Sequence, residues 1–95
     1  MKTILILEDD ENLCRGIAFT FEKAGYQTVT GNSIREGKQI LERKQADLLL
    51  LDLGLPDGNG MELCKEIRTY SKIPIIMLTA RNDIVDKVLG LRFRN

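Results

Sequence analysis

The sequence predicts an α/β domain in three layers, a parallel β-sheet with helices on both faces. Three observations lead to it. Short apolar runs alternate with amphipathic stretches of helix length along most of the chain. The richest of these runs are continuous rather than alternating, as strands covered on both faces require. Cap, turn and stop residues fall between the segments at short spacing.

The elements follow in order. "TILILE" (3–8) is a short strand. In "ENLCRGIAFTFEKAG", Leu13, Ile17 and Phe21 recur at helical spacing, and Gly25 is a stop. "YQTVT" (26–30) has the β-branched and aromatic content of a strand. "NSIREGKQILERKQ" opens with Ser33 three residues before Glu36, a capping-box spacing. It then turns Ile34, Gly37, Ile40 and Leu41 to one face. "ADLLLLD" (46–52) is a buried strand. "GNGMELCKEIRTY" is a helix with Asn59 as its cap and Leu63, Cys64 and Ile67 inward. "KIPIIMLTA" (72–80) is another buried strand, entered through Pro74. "NDIVDKVLGL" (82–91) predicts a fourth helix with Ile84, Val88 and Leu91 on one stripe. The order is βαβαβαβα, with right-handed crossovers and no repeat, linker or low-complexity segment.

The 95 residues suit one domain, and 14 basic side chains balance 14 acidic ones. Zero net charge gives no sign of nucleic acid or an anionic membrane as a bulk partner. No apolar run approaches the roughly 18 residues that span a bilayer. Met1-Lys2 leads straight into a strand, so no signal peptide is expected and the expected location is cytoplasmic. Cys14 and Cys64 lie outside any CxxC pairing and read as reduced, half-buried helix residues. The absence of histidine excludes Ser-His and Cys-His catalysis, most zinc sites and a phosphohistidine donor role.

In open parallel sheets, sites form beyond the carboxyl ends of the strands. Here the first strand ends in Glu8, Asp9 and Asp10, the third in Asp52, and the fourth in Thr79 and Ala80. If strands one and three are neighbours, Glu8, Asp9 and Asp52 meet on one edge. Such acids either share protons or bind a hard cation through oxygen. Mg²⁺, a nucleophilic carboxylate and a hydroxyl together equip a cleft for phosphoryl transfer to aspartate, with Asp52 attacking and Thr79 contacting the phosphoryl group.

"ILILEDDE", "DLLLLDLGLPDGNG" and "IPIIMLTAR" resemble, in order, the motifs of the response-regulator receiver domain of two-component signalling, and the likeness runs from residue 2 to about residue 90. The resemblance implies a flavodoxin-like fold with strand order 2-1-3-4. It also implies that Asp52 accepts phosphate from a sensor histidine kinase in a Mg²⁺-dependent reaction. Glu8 and Asp9 would form the acidic pair, with Asp9 favoured as the direct ligand. Gly54 would lend its backbone carbonyl to the metal, and Thr79 would be the switch hydroxyl. The Glu-Asp pair and "LPDGNG" are most similar to regulators that carry a winged-helix DNA-binding domain. By this resemblance, residues 1–95 form a receiver domain without its fifth βα unit, without an effector domain, and with no direct nucleic-acid or membrane contact. It would be a signalling domain that phosphorylates and dephosphorylates itself, not an enzyme in the ordinary sense.

The sequence departs from the family in lacking its lysine and the aromatic residue of a fifth strand. Coupling of phosphorylation to a surface change is then expected to be weak. Strand 74–79 becomes an apolar edge that invites homodimerisation. The other polar residues have plain readings. Asp10 is a solvated or first-turn acid, Asp57 a turn residue, and Arg81 and residues 43–45 are surface. Asp52 alone reads equally as a turn acid, and Thr79 alone as a β-branched strand residue. An aspartyl-phosphate phosphatase is disfavoured because Gly54 stands where such enzymes carry a second acid. A phosphorylation-independent interaction module, or an inactive fragment, is the remaining alternative.

Overall fold

The structure is a computed structural model that describes residues 2–43 and 45–78. Its elements are β1 (Thr3–Leu7), α1 (Glu11–Lys23), β2 (Gln27–Gly31), α2 (Ile34–Arg43), β3 (Leu48–Asp52), α3 (Gly60–Arg68) and β4 (Ile75–Leu78). The strands form one parallel sheet in the order β2-β1-β3-β4. Strand order reverses between β1 and β3, because the chain steps from β1 to one side for β2 and to the other for β3. The predicted helix over 82–91, the strand end at 79–80 and Arg81 lie outside the described residues.

Period-two alternation in β1 and β3 sorts the core into two layers. Leu5, Leu7, Leu49 and Leu51 share one face with Ile34 of α2 and with Leu63 and Ile67 of α3. Ile4, Ile6 and Leu50 share the other face with Cys14 and Ile17 of α1. "TILIL" therefore sends its leucines to one layer and its isoleucines to the other. Leu5, Ile6, Leu7, Leu49 and Leu51 have no exposed surface. Each contributes roughly 1.5–3 kcal/mol by leaving water. These central strands are buried on both faces as expected, whereas β2 and β4 are only partly buried. Edge position explains the difference: β2 and β4 each have one ladder neighbour among the described residues. Cys14 is more buried than its sequence reading, because its turn of α1 lies flat on Ile4 and Ile6.

Helix starts are set by side chains. Asp10 caps α1, accepting from Leu13 N at 3.1 Å, so its role is a cap rather than a solvated acid. Ser33 Oγ accepts from Glu36 N at 3.1 Å while the Glu36 carboxylate accepts from Asn32 N at 2.6 Å, a variant of the expected box. Asn59 caps α3 through Met61 N at 2.8 Å. After α1 the chain turns at Gly25, whose φ of 99° is one that side chains rarely adopt. Phe21 and Tyr26 then meet edge-to-face across that turn, with centroids 5.9 Å apart. Strand bounds differ slightly from expectation. β1 ends at Leu7 and β2 extends to Gly31, although the pairing continues one step as Glu8 N donates to Gly31 O at 3.0 Å. β3 and β4 start later than predicted, at Leu48 and Ile75.

Candidate metal centre

Strand register brings the acids together. Leu7 pairs with Leu51, so the next residues along the two neighbouring strands are Glu8 and Asp52. Parallel strands lie about 4.8 Å apart, which places the two side chains within reach of each other. Asp52 is itself in register with Leu78 of β4. The apolar strands carry the acids to the edge of the core. Glu8 is fully buried and Asp52 is 2 % exposed, while Asp9 is half-buried at the start of the β1–α1 loop.

Carboxylate oxygens of Glu8, Asp9 and Asp52 all lie within 4.8 Å of one another. Glu8 Oε2 accepts from Asp10 N at 2.9 Å, and Asp52 Oδ1 accepts from Gly54 N at 2.9 Å. Asp52 Oδ2 is buried and has no hydrogen-bond donor among the described residues. Burial lifts the Glu8 carboxyl from its ordinary 4.5 to about 7. The Asp10 amide pulls it back, and the charge of Asp52 with bonds to Asp9 and Asp52 pushes it further up. Without a cation, this pocket therefore relieves its own repulsion by holding a proton near neutral pH. A divalent cation would do the same with a larger charge. Clustered carboxylate oxygens, one of them buried with no donor among the described residues, suit a hard cation such as Mg²⁺.

Gly54 sits in the loop after β3, its amide fixed on Asp52. The loop folds tightly against the strand end. A Cβ on Gly60 would come within 3.3 Å of Asp52 O and 3.2 Å of Leu53 Cα, so the loop packs closely against the start of α3. Glu8, Asp9 and Asp52 thus meet at the ends of β1 and β3, with the Gly54 amide on Asp52. Thr79 lies outside the described residues. One residue changes role: Asp57, read as a turn residue, accepts from Ile34 N at 2.8 Å and Arg35 N at 3.0 Å and caps α2 from the neighbouring loop. No local spacing signals this, because the partners stand 23 and 22 residues away. No helix among the described residues is long and apolar enough to cross a membrane.

Comparison with known proteins is consistent along the chain. The sequence profile of the response regulator receiver domain matches residues 4–94. The sensory transduction protein RegX3 of Mycolicibacterium smegmatis is 41% identical over 91 residues, covering 96% of this chain and 40% of the relative. The alkaline phosphatase synthesis transcriptional regulatory protein PhoP of Bacillus subtilis is 37% identical over 91 residues, covering 95% of this chain and 38% of the relative. The chain thus spans about 40% of the length of these relatives. Among solved structures, the response regulator TrrA of Thermotoga maritima in complex with Mg²⁺ and BeF superimposes with a TM-score of 0.78 at 30% identity, covering 90% of this chain and 76% of that one. On its sequence, its sheet order and its acidic pocket, the chain belongs to the response regulator receiver domain family of two-component signalling.

Proposed function

We propose that Asp52 is the phosphoacceptor of this receiver domain and that Glu8, Asp9, Asp52 and the Gly54 carbonyl hold Mg²⁺. The observation that carries this reading is the buried Asp52 carboxylate at the end of β3, with its Oδ2 lacking a donor among the described residues and oxygens of Glu8 and Asp9 within 4.8 Å. Bound Mg²⁺ would offset negative charge on the acids and on the incoming phosphoryl oxygens. The Gly54 amide orients Asp52 through Oδ1. A carboxylate oxygen attacks phosphorus, the bond from phosphorus to the donor's leaving atom breaks, and an acyl phosphate forms on Asp52. Water later cleaves that anhydride to return carboxylate and inorganic phosphate. Thr79, next in sequence after Leu78, is the proposed hydroxyl contact to the phosphoryl group. The complex of TrrA with Mg²⁺ and BeF supports a Mg²⁺ site in the same pocket here.

The proposed donor is a sensor histidine kinase, and the proposed output is transcription control through a winged-helix DNA-binding domain. The transcriptional role named for PhoP supports the second of these. Self-association through strand 74–79 belongs to the same reading, because β4 occupies a sheet edge among the described residues. A monomeric mass by light scattering across a wide concentration range would remove that element. The chemistry is tested by intact-protein mass after incubation with acetyl phosphate. Gain of one phosphate that requires both Mg²⁺ and Asp52 is expected. Uptake that survives chelation, or no uptake by folded protein, would overturn the assignment.

A further inference from the structure

The loop that carries Gly54 also holds the start of α2. Asp57 uses both carboxylate oxygens there, accepting from Ile34 N at 2.8 Å and Arg35 N at 3.0 Å. These are the first two amides of α2, which its own ladder cannot use. Those bonds hold the Asp57 carboxyl below the usual carboxylate range. Leu55, on the same loop, is buried in the core layer that contains Ile34. A Cβ on Gly58 would come within 3.0 Å of Ile34 Cδ1, so loop and helix start are in close approach. Yet α2 already has a local cap in Ser33 and Glu36. The long-range cap adds something the local one cannot, a fixed distance between α2 and the loop that leaves Asp52.

We propose that Asp57 is a positioning residue for the acid pocket. By clamping loop 53–59 to the first turn of α2, it fixes Gly54 against Asp52 and links cation affinity to the state of that turn. The inference rests on the reading of Gly54 and the three acids as the metal centre. Coupling of this kind is reciprocal: if the clamp favours cation binding, cation binding tightens the clamp.

The test is a MgCl₂ titration of the 95-residue chain followed by backbone amide NMR, with hydrogen exchange read at Ile34 and Arg35. Three variants are compared: Asp57→Ala, Asp57→Asn and Ser33→Ala. Asp57→Ala is expected to weaken Mg²⁺ binding about three- to tenfold, up to the lower bound of the range for groups that support metal ligands. Asp57→Asn, which keeps one accepting oxygen, falls between it and the parent. Ser33→Ala removes the local cap of the same helix, so it lowers thermal stability but leaves Mg²⁺ affinity within about twofold. Mg²⁺ slows exchange at Ile34 and Arg35 in the parent and not in Asp57→Ala. Parent-like affinity in Asp57→Ala would overturn the proposal. So would an equal loss in Ser33→Ala, since helix integrity alone would then account for the effect. If Asp57→Ala loses its amide dispersion, Asp57→Asn decides by the same criteria. A parent chain whose residues 8, 9 and 52 do not respond to Mg²⁺ would instead remove the metal-centre reading beneath it.

Discussion

β3 has an aspartate at each end, and the two have opposite fates. Asp47, just before the strand, is exposed, and its Oδ2 accepts from Thr3 N at 2.7 Å while its own amide donates to Thr3 O at 2.7 Å. It closes the lower rim of the sheet and its charge stays in water. Asp52, the last residue of the strand, is 2 % exposed, faces two further acids, and has one oxygen without a donor among the described residues. The residue type is the same and the strand is the same. The difference is one of burial and bonding rather than of residue type, and it singles out the Asp52 end as the place where we propose a cation binds.

The sharpest way to break this comparison is to neutralise each acid in turn. Asp52→Asn is expected to abolish phosphoryl uptake from acetyl phosphate, and Asp47→Asn to leave it at the parent level, both read by intact mass. Loss in both would mean that the two ends are not functionally distinct. Next in size is cation binding. Glu8→Gln keeps the shape of a buried side chain but removes a charge, and it should weaken Mg²⁺ binding at least about tenfold. The same calorimetric titration on Asp47→Asn should match the parent.

The pH dependence of stability sharpens the contrast further. Glu8 keeps its proton up to about 7 in the folded chain but releases it near 4.5 when unfolded. Between those values the folded state binds more protons, so this carboxyl makes stability fall as pH rises through the window. Mg²⁺ should flatten that fall by favouring the ionised carboxylates. Urea denaturation of the parent and of Glu8→Gln, each with Mg²⁺ and with chelator, checks it. A pH slope that is unchanged in Glu8→Gln would place the titration elsewhere. The smallest effect belongs to the other end of β3. Asp47→Ala should cost about 1 kcal/mol or less, the worth of one exposed hydrogen bond, and a larger loss in a thermal melt would show that the lower rim holds more than a single contact.

Much of this architecture was legible in the chain. "TILIL" and "LLLL" could only be strands with both faces covered, and the placement of Asp10, Ser33 and Asn59 at helix starts follows from local bonding within a few residues. The acids Glu8, Asp9 and Asp52 were legible too, because parallel topology sends the carboxyl ends of β1 and β3 to one edge. The role of Asp57 was not, since a turn aspartate looks the same whether it faces water or caps a helix 22 residues upstream. Nor was the depth of Cys14, which depends on how α1 seats against Ile4 and Ile6.

The sequence by itself determined the order of elements, the two-sided burial of the central strands and the residues that end them. These follow from side-chain periodicity and from polar groups bonding to their own neighbourhood. Only the tertiary structure decided that β1 lies beside β3 in a register that sets Glu8 next to Asp52, that Asp52 Oδ2 has no donor among the described residues, and that the loop from Asp52 is fastened to α2. Those outcomes depend on contacts between segments far apart in the chain, whose energies arise only once the layers have packed.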